Sequence, residues 1–96
     1  MAMTKITDEF LRYMRYEKNR SPLTVKAYHD DLLDFETFFT DRDEALTWQT
    51  VDADIIRDWM EHMMERGNKS ASVNRRLSAV KMLFRFALSR HLVERD

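Results

Sequence analysis

A chain of 96 residues that holds one glycine and one proline has almost nothing with which to turn tight hairpins. Two-residue hairpin loops need residues that tolerate positive φ, glycine above all, and most other turns also lean on glycine and proline. Gly67 and Pro22 therefore punctuate a sequence that otherwise runs on in long segments. Those segments are rich in Met, Leu, Ala, Arg, Glu and Lys, all good helix formers. The fold class this predicts is all-α. A chain this short buries only about 60–65% of the surface its unfolded form exposes, so residues 1–96 are expected to form a single domain with one modest core.

Apolar spacing divides the chain into a compact bundle of four main helices. The first is expected from about Thr4 to Lys18, with Ile6, Phe10, Tyr13 and Met14 inward. Ser21-Pro22 opens the second, because a serine N-cap accepts a free first-turn N–H and proline at the next position has no N–H to leave unpaired. Val25, Tyr28, Leu32, Phe35 and Phe39 form its stripe, ending near Thr40. A loop from Asp41 to about Val51 is expected to tuck Trp48 into the core. Asp52 caps the third helix, Ile55, Trp59 and Met63 line it, and Gly67 stops it. Ser70 is the expected cap of the fourth, which runs to about Arg90 with Val73, Leu77, Val80, Phe84 and Ala87 inward. Met82 and Phe86 fall on the opposite side and are expected to lie bare, while Leu92 to Asp96 reads as a fraying tail.

The net charge of −1 hides a strong segregation. Residues 1–29 carry +3, residues 30–65 carry −10 and residues 66–96 carry +6. No acid occurs between Arg66 and Val93. Such a chain makes a dipolar molecule with a basic side, unless its helices simply neutralise one another on packing.

Much chemistry is excluded. Without cysteine there is neither a disulfide framework nor a thiolate metal site, which fits a cytoplasmic location. No signal peptide is expected, and no apolar stretch approaches the roughly 20 residues of a membrane span. His29 and His62 lack a second histidine one helical turn away, so no metal is expected. The acidic run Asp30, Asp31, Asp34 and Glu36 lacks the alternating ligands and central glycine of a calcium loop, and reads as a solvated helix face. No nucleophile elbow, phosphate loop or dinucleotide motif occurs, and no cofactor is expected.

The basic elements are the better lead. Ser72, Arg75, Arg76 and Ala79 share one flank of the fourth helix, where Arg and Ser can reach phosphates or base edges and a small Ala lets the helix sit close. Thr24, Lys26 and Ala27 occupy the first turns of the second helix, near an N-terminus suited to phosphate.

Two motifs carry a resemblance over nearly the whole chain. Phe10-Leu11-x-Tyr13 followed by Glu17-Lys18-x-x-Ser21-Pro22-x-Thr24-x-x-x-Tyr28-x-x-Asp31-Leu32-x-x-Phe35 resembles the opening of Xer-type tyrosine recombinases and phage integrases. Ser72-x-Asn74-Arg75-Arg76-Leu77-Ser78-Ala79-Val80-Lys81-x-Leu83-Phe84-Arg85-Phe86 resembles that family's fourth helix. The resemblance implies an N-terminal, SAM-like core-binding domain that clamps a recombination half-site together with a catalytic domain. Its second and fourth helices would face the major groove of double-stranded DNA. By position it implies DNA contacts at Thr24, Lys26, Ala27, Ser72, Arg75, Arg76 and Ala79, with Arg75 foremost and Tyr28 in packing. The family's two arginines, lysine, histidine and tyrosine nucleophile would lie in the catalytic domain, absent from this chain and expected beyond Asp96. The chain itself would not cut DNA, Tyr13, Tyr16 and Tyr28 would not be nucleophiles, and no metal or nucleotide cofactor would be needed. Partners implied are the protein's own catalytic domain and neighbouring recombinase protomers. The departure from the family pattern is the net charge, less basic than its core-binding domains often are.

Two other readings compete. A protein-interaction module would use Met82, Phe86 and the acidic helices, since fold does not fix function. A stand-alone helix-turn-helix repressor would use Arg66 to Ser70 as its turn, but the fourth helix is too long and its predecessor too apolar for a short recognition helix.

Overall fold

The computed structural model describes residues 5–94. Among them every ordered element is helical, in the order α1 (Lys5–Arg12), a π-helical turn (Tyr13–Glu17), α2 (Pro22–Arg42), α3 (Ala53–Glu65) and α4 (Ser70–Ser89). The expected start at Thr4 lies outside the described residues.

α1 buries Ile6 and Phe10 at a spacing of four. Its last turn then widens: the Lys18 N–H reaches the Tyr13 carbonyl at 3.1 Å and the Arg20 N–H the Met14 carbonyl at 3.0 Å. A π turn holds an extra residue, and the consecutive Tyr13 and Met14 both pack on the core. Asn19, at φ +54, ends the segment in a left-handed conformation that asparagine tolerates.

α2 begins as its cap dictates, with Ser21 Oγ accepting the Thr24 N–H at 3.2 Å. Leu32, Phe35 and Phe39 are buried, and the helix runs two residues past the expected end. Trp48 in the following loop is buried and meets Phe35, Phe39 and Phe84 edge-on, with centroids 5.3, 5.7 and 5.4 Å away. Asp52 caps α3 by accepting the Ile55 N–H at 3.0 Å. Gly67, at φ +88, closes it, and the bonds from Gly67 N–H to the Met64 carbonyl and from Asn68 N–H to the Met63 carbonyl make a Schellman stop.

α4 departs from expectation in three ways. Lys69, in extended backbone, is its N-cap and makes no side-chain cap bond, while Ser70 is the first helical residue. Phe86 is buried and not bare: its ring meets Phe10 at 5.6 Å and Tyr13 at 4.9 Å. Met82 is half-buried, and its sulfur accepts the Tyr28 hydroxyl at 3.6 Å. The cause is that α4 packs against α1, α2 and α3 at once, so its apolar arc is wider than a single stripe. A protein-interaction surface on Met82 and Phe86 loses its basis. Third, the chain does not fray after α4 as far as it is described. His91 adopts φ +59, and the Leu92 N–H returns to the Ala87 carbonyl at 2.8 Å. This reversal folds Val93 into the core. Arg95 and Asp96 lie outside the described residues.

The acidic run on α2 is not the solvated face its composition suggests. Asp31 and Glu36 are buried. One oxygen of Glu36, Oε1, accepts both the Thr7 hydroxyl of α1 at 2.7 Å and the Trp48 indole N–H at 2.6 Å. Asp34 Oδ2 accepts the Trp59 indole N–H of α3 at 3.0 Å. Asp31 takes Arg75 of α4. Arg42, at the end of α2, pairs with Asp58 of α3. Each neighbouring element is thus pinned to α2 by a charge-assisted bond, stronger than a neutral one.

Removing the Glu36 acceptor takes a hydrogen bond from two buried donors, the Thr7 hydroxyl and the Trp48 indole. Glu36→Ala is expected to lose about 2–4 kcal/mol and lower the Tm by roughly 8 °C or more. Glu36→Gln keeps an oxygen able to accept both bonds and should lose clearly less, as thermal melts followed by circular dichroism would show.

Candidate nucleic-acid interface

α4 shows solvent a stripe at steps of three and four: Ala71, Asn74, Ser78, Lys81, Arg85 and Leu88 are all exposed. No acid lies on it. Arg75 borders it. At its far end, Arg85 joins Lys18 and Arg20 around a groove between the end of the first helical segment and α4, with Met82 and Ser89 as further lining. Among the described residues, Lys18, Arg20, Lys69, Lys81 and Arg85 form no ion pair. Lys5, Arg12 and Arg15, on the first helical segment, form none either, whereas several other bases are matched. Lys26 sits 2.8 Å from Asp30, Arg66 3.5 Å from Asp34 and Arg90 3.1 Å from Glu17. The Lys26 ammonium, helped by His29, holds the exposed Asp30 carboxyl below its ordinary pKa.

The residues singled out from sequence differ in how far they reach solvent. Lys26 and Ala27 are exposed on the second turn of α2, and Thr24 beside them is half-buried and bonded to Ser21. Ser72 is half-buried, and Arg75 is exposed yet tied to Asp31. Arg76 is mostly covered: its Nε is buried without a hydrogen-bond partner and lies 3.5 Å from Asp31. Ala79 corrects the sequence reading, because its relative exposure is 0%. A residue in the core cannot touch a ligand on the surface of the folded chain. The flank of Ser72, Arg76 and Ala79 turns inward because Val73, Val80 and Leu83 beside it are core residues and α4 is covered on several sides.

Asn74, Ser78, Lys81 and Arg85 of the outward stripe stand in the fourth-helix motif but not among the DNA contacts it implies. The signal of the stripe was present, since these positions share helical spacing and lie in the stretch without acids. Their side chains supply amide and hydroxyl groups and unpaired cations, which suit phosphate oxygens and base edges. Among the described residues no group of three or more His, Cys, Asp and Glu could hold a metal ion. None of the helices among them is long and apolar enough to cross a membrane.

Residues 7–91 match the family of the phage integrase N-terminal SAM-like domain. The chain is 33% identical over 91 residues to a tyrosine recombinase XerC of Pelotomaculum thermopropionicum, covering 91% of this chain and 30% of that protein. It is 35% identical over 94 residues to a tyrosine recombinase XerC of Roseiflexus castenholzii, covering 98% and 30%. A tyrosine recombinase XerD of Bradyrhizobium diazoefficiens is 35% identical over 88 residues, covering 92% and 27%. The chain therefore spans under a third of the length of these relatives. No solved structure matches it significantly.

If the unpaired cations of α4 meet phosphates, each neutralised phosphate adds about 0.9 to the salt slope of duplex binding. Lys81→Ala combined with Arg85→Ala should then lower that slope by about 1.8 in fluorescence anisotropy titrations. Arg57→Ala, on α3 and paired with Asp54 at 3.2 Å, should leave the slope unchanged.

Proposed function

The chain belongs to the phage integrase N-terminal SAM-like domain family, and from that premise we propose that it is the DNA-gripping core-binding domain of a site-specific tyrosine recombinase. It holds a recombination half-site in double-stranded DNA through α2 and α4. The single observation that carries this reading is the acid-free outward stripe of α4, whose Lys81 and Arg85 stay unpaired while the bases Arg66 and Arg75 nearest α2 are matched. α2 adds Thr24, Lys26 and Ala27 in its first turns, at the positive end of the helix dipole, which favours an anion.

In this reading the domain positions DNA and performs no bond cleavage. Strand cutting through a phosphotyrosine belongs to the protein's own catalytic domain, and neighbouring protomers on the same DNA are further partners. Phosphate contacts set register and orientation, while polar side chains such as Asn74 and Ser78 are suited to reading base edges.

The test is binding of the chain to a panel of duplexes that includes the host's own recombination site, by fluorescence anisotropy at low and at physiological salt. The expected outcome is salt-sensitive binding that is tightest for the recombination site. Affinity that is absent at low salt, or indifferent to salt, would remove the reading.

A further inference from the structure

Arg75 and Asp31 are arranged in a way that packing alone does not require. The Arg75 Nε–H and one Nη2–H donate to the two oxygens of Asp31, at 3.2 Å to Oδ2 and 2.9 Å to Oδ1. The carboxylate is buried, with 4% of its side chain exposed, whereas the arginine side chain is 58% exposed. Arg76 approaches the same Oδ1 at 3.5 Å and adds a second positive charge on the inner side. A guanidinium has five N–H donors in a rigid plane. A side-on pair through Nε and Nη2 uses two of them and leaves the opposite edge, one N–H on each of Nη1 and Nη2, without a partner. That edge offers two parallel donors. Asn74 and Ser78, which flank Arg75 along α4, are exposed as well.

We propose that Asp31 is a positioning residue that presents the end-on edge of Arg75 to a pair of adjacent acceptors on duplex DNA, either the O6 and N7 of a guanine or two oxygens of one phosphate. The proposal rests on the DNA-binding reading and adds to it a residue from the second helix that touches no DNA itself. An unsupported arginine on a helix surface must lose its rotamer freedom when it binds, and the buried carboxylate removes that loss beforehand. The pair also excludes lysine at position 75, because an ammonium on Asp31 would have no planar fork left to offer.

The test compares the wild-type chain, Arg75→Lys, Asp31→Asn and the double variant on a duplex enriched from a random pool by the wild-type chain. Arg75→Lys keeps a cation for Asp31 but loses the fork, and should bind about tenfold or more weakly, the order expected of one bidentate contact. Asp31→Asn keeps Arg75 but breaks the two-oxygen pair, and should lose a comparable factor. The double variant should bind no more weakly than Arg75→Lys. Losses that multiply, or an Asp31→Asn chain that binds like wild type, would overturn the buttress while leaving the DNA reading intact. A wild-type chain that binds no duplex at low salt would overturn both.

Because Asp31 is buried, its variant can unfold, so a second measurement needs no variant. In the free wild-type chain the Nε–H resonance of Arg75 should exchange slowly with water, and exchange as fast as that of a solvated arginine would overturn the proposal. Replacing guanines of the duplex with 7-deazaguanine then assigns the acceptor. Weaker wild-type binding that Arg75→Lys does not share identifies the guanine edge, and unchanged binding identifies phosphate; either supports the pair.

Discussion

One helix carries the polar groups on which the arrangement of the others depends. α2 sends Asp31 to α4, Asp34 to α3, and Glu36 to both α1 and the Trp48 loop. A buried carboxylate is tolerated only when its oxygens are hydrogen-bonded, because taking the charge out of water costs several kcal/mol. Burial of the aromatic core around Phe35, Trp48 and Trp59 is non-directional and would accept several packings. The carboxylates accept one: a slipped α1 breaks the Thr7 bond to Glu36, and a displaced loop breaks that of the Trp48 indole. Hydrophobic burial supplies the driving force, and the acids of α2 select which neighbour goes where.

The same bonds decide how charge reaches the surface. A chain with net charge −1 has no excess of cations to give to DNA. Folding divides them. Asp31, Asp34, Asp58 and Glu17 occupy Arg75, Arg66, Arg42 and Arg90, while Lys18, Arg20, Lys81 and Arg85 stay unmatched. Three of these four share the groove beside α4. Ion pairs at the surface contribute little to stability. Their larger effect in this molecule is to settle which cations stay unpaired, and along the outward stripe of α4 these are Lys81 and Arg85, with no acid on the stripe itself. The absence of acids from Arg66 to Val93 makes this possible, and the carboxylates of α2 complete it.

Local chemistry carried far in the sequence. Ser21-Pro22, Asp52 and Gly67 act through backbone groups within a few residues of themselves, and each sits where its conformational preference placed it. The inward faces of α2 and α3 were legible because one stripe at helical spacing faces one core. α4 was read less well. A helix surrounded on several sides has no single apolar stripe, so Phe86 looked bare and Ala79 looked exposed until its neighbours were in place. The acids of α2 were misread for a related reason: a run of Asp and Glu has the composition of a solvated face whether or not an indole or a guanidinium waits across the interface.

What the sequence by itself determined is the four main helices, the starts at Ser21-Pro22 and Asp52, the stop at Gly67, the family, and the segregation of charge along the chain, because each depends on neighbours in sequence or on residue type alone. What only the tertiary structure decided is which of the marked residues can reach a ligand. Arg75 and Ala79 lie on one flank of one helix, four residues apart, yet one is a braced guanidinium at the surface and the other has no exposed atom. Exposure and ion pairing belong to the relation between helices, and that relation is set by carboxylates whose partners lie 12 to 44 residues away in the chain.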